Sequence, residues 1–261
     1  MPYHAGCGID LAPQARYQCL MPHCKNCQAS LDGPYCATCG QRNIDLERPI
    51  WSLVWDVVKE TFEVDGRAAL TIKTLFRHPG MLTSEFLAGR RRTYTPPLRL
   101  YLVISISFFI LVAWFAQSGI LLEPGQDPGF DAAVQAQFLS DDLPRLMFVL
   151  LPVFALLLKI VYVRRLFFDH MIFSLHLHSA AYIILAMILP LEDLSDRHTF
   201  FLVLQFSLFV YFLAYFAIAV RRVYQSGWLA IALRSAVVLF GYLIVISIVV
   251  ENTSNFRIIA D

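Results

Sequence analysis

A chain of 261 residues that is 57% hydrophobic, 14% aromatic and only 16% charged, with a mean hydropathy of +0.58, is too apolar for an ordinary soluble domain and reads as a polytopic membrane protein. The formal net charge of +1 says little until it is divided by position, because the total hides a strong segregation.

Residues 1–20 hold no apolar run long enough for a signal-peptide core and no helical or strand period, so they are expected to form a disordered leader. Met21 stands three residues before Cys24, and two readings stay open: translation starting at Met21, or a genuine flexible arm. Next comes Cys24-Lys25-Asn26-Cys27, eight residues, and Cys36-Ala37-Thr38-Cys39-Gly40. Two Cys-x-x-Cys pairs at that separation are the spacing of a small zinc ribbon over about 21–45, each pair offering two thiolates to one tetrahedral Zn²⁺. Gly33-Pro34 supplies the bend between the arms, and Gly40 allows the positive φ that such knuckles often need. Two disulfides or a redox pair are the alternatives, but nothing in the chain suggests an oxidising compartment or a thioredoxin-like βαβ pattern. With four thiolates the ion has no open position, so the expected cofactor is one structural Zn²⁺ per chain, held by Cys24, Cys27, Cys36 and Cys39. Cys7 and Cys19 are expected to be free thiols.

Residues 46–97 read as amphipathic helices beside the membrane. From Ile50 to Glu63, Ser52, Asp56, Lys59, Glu60 and Glu63 fall on one stripe, and Ile50, Leu53, Val54, Val57, Val58 and Phe62 fall opposite. Trp51 and Trp55 suit a headgroup boundary. A second helix spans roughly Arg67 to Arg77, apolar at Leu70, Thr74 and Leu75, and ends at His78-Pro79-Gly80; a third runs from about Met81 to Ala88 before Gly89. Arg90-Arg91-Arg92 and Arg99 then precede the first hydrophobic span, where basic residues serve as a topology anchor. A nucleic-acid partner is not expected, since Asp32, Asp45, Glu47, Asp56, Glu60 and Glu63 would repel phosphate.

Gaps between charges define the spans. Between Arg99 and Glu123 lie 23 uncharged residues, between Asp169 and Glu192 there are 22, and between His198 and Arg221 another 22. Each exceeds the roughly 20 residues that cross hydrocarbon as helix. With two further segments that tolerate Lys159 and Arg234 by snorkelling, the predicted bundle covers 98–251, with spans near 100–122, 146–163, 170–191, 199–220 and 228–250 and an outer tail at 252–261. The fold class expected is thus an all-α polytopic membrane protein of about five transmembrane helices with a small N-terminal zinc ribbon. With the N-terminus inside, 18 of the 21 Lys and Arg residues fall on the inner side, while the acids split ten and ten. The inner side carries +8 and the outer −7, which puts the ribbon in the cytoplasm, where thiolates stay reduced, and the C-terminus outside. The 119–144 connection becomes an outer loop.

At these residues the chain resembles an uncharacterised bacterial family of zinc-ribbon integral membrane proteins, domain of unknown function 3667. The matching motifs are Cys24-x-x-Cys27, Tyr35-Cys36-x-x-Cys39-Gly40-Gln41, Asp65-Gly66-Arg67 with Thr71, Pro79-Gly80, Gly89-x-Arg91-x-x-Tyr94, Pro97-x-Arg99-x-Tyr101 and Asp169-His170-x-x-Phe173-x-x-His176-x-His178. The resemblance implies a bacterial inner-membrane location and no particular activity.

Inside the spans, His176 and His178 carry the most information, because an ionisable group in hydrocarbon usually faces a partner or a cavity. Asp169 and His176 share a helix face, whereas His178 lies about 200° round from His176, an arrangement that does not suit one shared metal ion. Counted from the inner surface, Ser105, Ser107, Tyr211, Tyr215 and Tyr242 fall at similar depth. One reading is interhelical hydrogen bonding; the other is a cytoplasm-open pocket for a small or lipid-like ligand, drawn from Asp169, His170, His176, His178, Ser105, Tyr211 and Tyr215. No catalytic residue is assigned, since the sequence has no Gly-x-Ser-x-Gly, P-loop, Gly-x-Gly-x-x-Gly or His-Glu-x-x-His motif. The leading expectation is a multi-pass inner-membrane protein whose ribbon is an interaction or regulatory module, with the lipid bilayer and a cytoplasmic protein as partners. A carrier or binder of a small solute or lipid, and a membrane-embedded enzyme, are the alternatives.

Overall fold

The computed structural model describes residues 23–41, 43, 67–117, 138, 142–195 and 198–260. The predicted leader with Cys7 and Cys19, the helix predicted over 50–63 and most of the predicted outer loop lie outside these residues.

Two short helices, α1 (Ala68–Arg77) and α2 (Met81–Leu87), follow the ribbon. His78-Pro79-Gly80 separates them for a local reason: proline cannot continue the α1 hydrogen-bond ladder, and Gly80 takes φ 76°, a left-handed conformation without cost only for glycine. The buried face of α1 is Thr71, Thr74 and Leu75. Leu70, expected on that face, is instead 47% exposed. Thr71 takes its place beside the expected Thr74 and Leu75 because it is tied across the chain: its hydroxyl accepts from the Thr95 backbone N–H at 2.9 Å and lies 3.2 Å from Thr95 Oγ1.

Five helices are long and apolar enough to cross a membrane: α3 (Pro97–Gln117), α4 (Leu143–Val161), α5 (Phe167–Ser195), α6 (Thr199–Tyr224) and α7 (Trp228–Ala260). Pro97 stands at the start of α3, where its missing N–H has no intrahelical partner to lose. The last helix carries on to Ala260 through the stretch expected to be a tail. With no strand among the described residues, the fold is all-α and polytopic.

Helix α5 is the centre. It packs against α1, α2, α3, α4 and α6, while α7 closes the bundle against α4 and α6. In its apolar window 61% is buried, against 11% in α6 and 17% in α7, so the last two helices turn most of their apolar surface outward. Two aromatic-rich cores flank α5. One joins Tyr182 to Tyr101, Phe108 and Phe109 of α3; the other joins Phe173 to Phe154 of α4 and to Phe216 and Tyr224 of α6. Five polar residues of α5 are interior too: His170, Ser174, His176, His178 and Ser179 are all buried. That inversion is what lipid selects, because apolar side chains lose nothing by facing hydrocarbon whereas polar ones need partners.

Candidate metal centre and intramembrane polar residues

The ribbon is two similar knuckles. In the first, the Gln28 N–H donates to Cys24 O at 2.9 Å and the Cys24 N–H to Ala29 O at 2.8 Å; in the second, the Gly40 N–H donates to Cys36 O and the Cys36 N–H to Gln41 O, both at 2.8 Å. Gln28 and Gly40 occupy the same place, one residue past the second cysteine, with φ of 64° and 69°. Each knuckle thereby turns its two thiols inward. The four Sγ atoms lie within 4.8 Å of one another, with Cys24 to Cys39 at 3.6 Å and Cys27 to Cys36 at 3.5 Å. A disulfide needs about 2.05 Å, and a tetrahedral site with metal–sulfur bonds of about 2.3 Å sets its sulfurs about 3.8 Å apart. The geometry therefore suits one metal ion held by four thiolates. Backbone N–H groups prepare it: that of Cys39, ahead of that of Thr38, holds the Cys36 thiol down to about 6. Cys27 goes the other way. Although the Ala29 N–H favours its thiolate, the partial desolvation of the site and the neighbouring sulfurs push it up.

This ribbon sits on the loop that leads into α3. The Gln41 side chain donates to Gly89 O and accepts from the backbone N–H groups of Arg91 at 2.9 Å and Arg92 at 3.3 Å. Thr93 Oγ1 donates to Asn26 Oδ1 at 3.0 Å. Gly89, with φ 84°, lets the Lys25 side chain lie so close that an added Cβ would stand 2.6 Å from Lys25 Cδ. One amide thus holds the loop by three bonds, and both knuckles contribute. Beneath the loop, Arg90 forms a two-point ion pair with Glu85 of α2 at 2.5 and 2.6 Å, whose hydrogen bond lowers the Glu85 pKa. The loop links ribbon to hairpin.

The hairpin is in turn keyed into the bundle. Gly80 touches the α6 backbone so closely that an added Cβ would lie 2.7 Å from Ala219 O. Arg222 Nη1 donates to Pro79 O at 2.9 Å, Tyr211 Oη to Phe76 O at 3.2 Å, and the Phe76 ring meets that of Tyr215 at 6.3 Å. These contacts satisfy carbonyls at the end of α1 that have no helical partner. Tyr211 and Tyr215, grouped by sequence with the α5 histidines, serve this junction.

Each histidine has its own neighbours. His176 Nδ1 bonds the Thr83 hydroxyl of α2 at 3.0 Å. On the other face of α5, His178 Nδ1 lies 2.8 Å from Ser174 O and Nε2 lies 3.0 Å from Tyr242 Oη of α7. A carbonyl only accepts, so the proton belongs on Nδ1 and the neutral imidazole accepts the Tyr242 hydroxyl at Nε2. His170 Nδ1 bonds Tyr224 Oη at 2.7 Å, and its ring stacks on that of Tyr224, which also stacks on the Tyr162 ring at 4.1 Å. Asp169 lies 4.0 Å from Arg165, and Ser105 Oγ returns its hydrogen bond to Leu102 O in its own helix. The seven residues grouped by sequence therefore do not meet in one pocket: His176 joins α2 to α5, His178 joins α7 to α5, Asp169 and His170 lie where α4 and α6 end and α5 begins, Tyr211 and Tyr215 hold the hairpin to α6, and Ser105 bonds within α3. Thr83, Tyr224 and Gln41 are the partners that the sequence reading missed. Only Gln41 carried a local signal, directly after Cys39-Gly40.

An all-α, multi-pass architecture with a four-cysteine centre is the class these features define. Residues 65–109 match the family model described as Protein of unknown function (DUF3667). That stretch is the hairpin, the loop under the ribbon and the first half of α3. No curated protein matches the chain, and no solved structure does.

Proposed function

We propose that the chain is a multi-pass protein of the bacterial inner membrane whose cytoplasmic ribbon holds one structural Zn²⁺ and regulates the membrane body through the loop it grips. The observation that carries this reading is the Gln41 clamp on Gly89, Arg91 and Arg92. Metal binding supplies the folding energy of so small a module, and the clamp passes that order to the loop, the Glu85–Arg90 pair and the hairpin. The excess of Lys and Arg on the ribbon side supports the cytoplasmic orientation. Tyr35, 59% exposed on the ribbon, offers an aromatic contact for a cytoplasmic protein partner.

The test is elemental analysis of purified protein, wild type beside Cys36→Ser and His176→Gln, together with hydrogen exchange over residues 85–93. One zinc per chain, absent in Cys36→Ser and retained in His176→Gln, with faster exchange of the 89–93 amides in the cysteine variant, is the expected result. Loop protection that is indifferent to zinc removes the regulatory reading. A second metal lost with His176 makes a membrane metalloenzyme the better account.

A further inference from the structure

On the ribbon side of the bundle, where α4, α5, α6 and α7 end or begin, lies an open cavity of about 470 Å³. Among its lining residues are Tyr162, Arg164, Arg165, Tyr224, Ser226 and Arg234. Three guanidinium groups around one space repel each other unless an anion joins them. Among the described residues Asp169 pairs with one of them, Arg165, at 4.0 Å. Arg165 Nη2 also donates to Val223 O at 3.1 Å, which fixes it against the end of α6. Arg234 lies over the Tyr162 ring at 5.2 Å with Nη1 3.4 Å from Ser226 Oγ, so it too is placed. Arg164 has no hydrogen bond or ion pair among the described residues and is exposed.

Polar groups complete the wall. Tyr162 is only 8% exposed, with its hydroxyl beside the Arg234 guanidinium and no acceptor for its own proton among the described residues, a costly state for a buried donor. Ser226 stands just before α7, whose first intrahelical bond is the Ile231 N–H to Gly227 O at 3.0 Å. The positive end of a 33-residue helix therefore adjoins the cavity. Apolar surface lies directly beside this charge: Val163, itself in the lining, is 66% exposed, and Leu229 and Leu233 on α7 are 86% and 68% exposed. A charged recess beside bare aliphatic side chains fits an amphiphile.

We propose that this cavity binds a phosphate group, that of an anionic phospholipid headgroup, with Arg164, Arg165 and Arg234 on its oxygens, the Tyr162 and Ser226 hydroxyls as further donors, and the acyl chains along Leu229 and Leu233. Basic recesses between helices on the cytoplasmic side bind such headgroups for the same reason: guanidinium groups match phosphate in charge and in hydrogen-bond geometry. The site is distinct from the ribbon and from the histidine bonds to Thr83 and Tyr242; it meets the histidine layer at His170, which Tyr224 holds.

The experiment titrates the full-length detergent-purified protein with short-chain phosphatidylglycerol, phosphatidylcholine and inorganic phosphate, following intrinsic fluorescence and thermal midpoint. Phosphatidylglycerol is expected to saturate and to raise the midpoint, while phosphatidylcholine does neither. Arg164→Gln, which gives up no contact among the described residues, should bind about fivefold more weakly, and Arg164→Gln/Arg234→Gln more weakly again. Arg145→Gln, at the far end of α4, should bind as wild type. Tyr162→Phe keeps the ring stack and should weaken phosphatidylglycerol binding without a change of charge. Inorganic phosphate that competes with the lipid at low millimolar concentration upholds the phosphate site and assigns it to a soluble ligand. Equal binding of phosphatidylcholine and phosphatidylglycerol, or a loss in Arg145→Gln equal to that in Arg164→Gln, overturns the proposal.

Discussion

At the scale of single residues, Gln28 and Gly40 make a matched comparison. Both adopt a left-handed φ at equivalent knuckle positions, but only glycine does so without the clash of a Cβ against the following carbonyl, a cost of about 1–2 kcal/mol. Gln28→Gly is therefore expected to stabilise the ribbon by about 1 kcal/mol, read as roughly fivefold tighter zinc binding in competition with a chromophoric chelator; an unchanged affinity would mean that the Gln28 side chain makes good the strain. The Glu85–Arg90 pair yields a pH prediction. Hydrogen bonding to Arg90 lowers the Glu85 pKa in the folded protein, so the pair's contribution is complete above the ordinary carboxylate value and disappears as pH falls through the lowered one. Arg90 is about two-fifths exposed, and solvent screening limits the pair to about 1 kcal/mol or less. Glu85→Gln should lower the thermal midpoint slightly at neutral pH, and the difference from wild type should shrink as pH falls below the ordinary carboxylate range. Gly40 was legible in the sequence because glycine after a knuckle has few other uses. Gln28 was not, since a glutamine there looks like any polar loop residue.

Among elements, the hairpin of α1 and α2 teaches the most. Its boundaries could be read from His78-Pro79-Gly80 and Gly89, because proline and glycine act through the local backbone. Its docking could not. The contact of Gly80 with Ala219 joins residues with no shared pattern, and Thr83 meets His176 from a seven-residue helix 93 positions away. The two reasons for glycine at position 80 reinforce each other: φ is 76°, and an added Cβ would stand 2.7 Å from Ala219 O and 3.0 Å from Ala219 Cα. Backbone atoms of a packed helix do not yield as a flexible side chain would. Gly80→Ala is expected to cost about 2–3 kcal/mol and to lower the thermal midpoint of the detergent-purified protein. Gly227→Ala makes the control, since nothing lies within 4 Å of its Cβ position, and should stay within about 0.5 kcal/mol of wild type. If both behave alike, the hairpin is not locked against α6.

For the molecule as a whole, the number of spans was legible and the central span was not. Three uncharged stretches and two with a single basic residue announce themselves by length, yet in lipid every helix is largely apolar on all sides, so the usual amphipathic stripe that tells inside from outside is lost. What distinguishes α5 is its polar content. His170, Ser174, His176, His178 and Ser179 all lie inside, a reversal of the soluble rule, and read that way the sequence already marked the third span as the core. The inversion can be tested by opposite substitutions. Ala180 of α5 is 0% exposed and belongs to the core shared with α4, α6 and α7, so Ala180→Leu forces extra volume into a closed space at about 1–3 kcal/mol. Phe206 of α6 is 66% exposed; in a bilayer its ring faces acyl chains as apolar as itself, and Phe206→Ala leaves the helix contacts intact. Unfolding in lipid nanodiscs should show Ala180→Leu clearly destabilised and Phe206→Ala within about 0.5 kcal/mol of wild type. The reverse ranking would mean that α6 is covered by protein and that the bundle here is one subunit of a larger assembly.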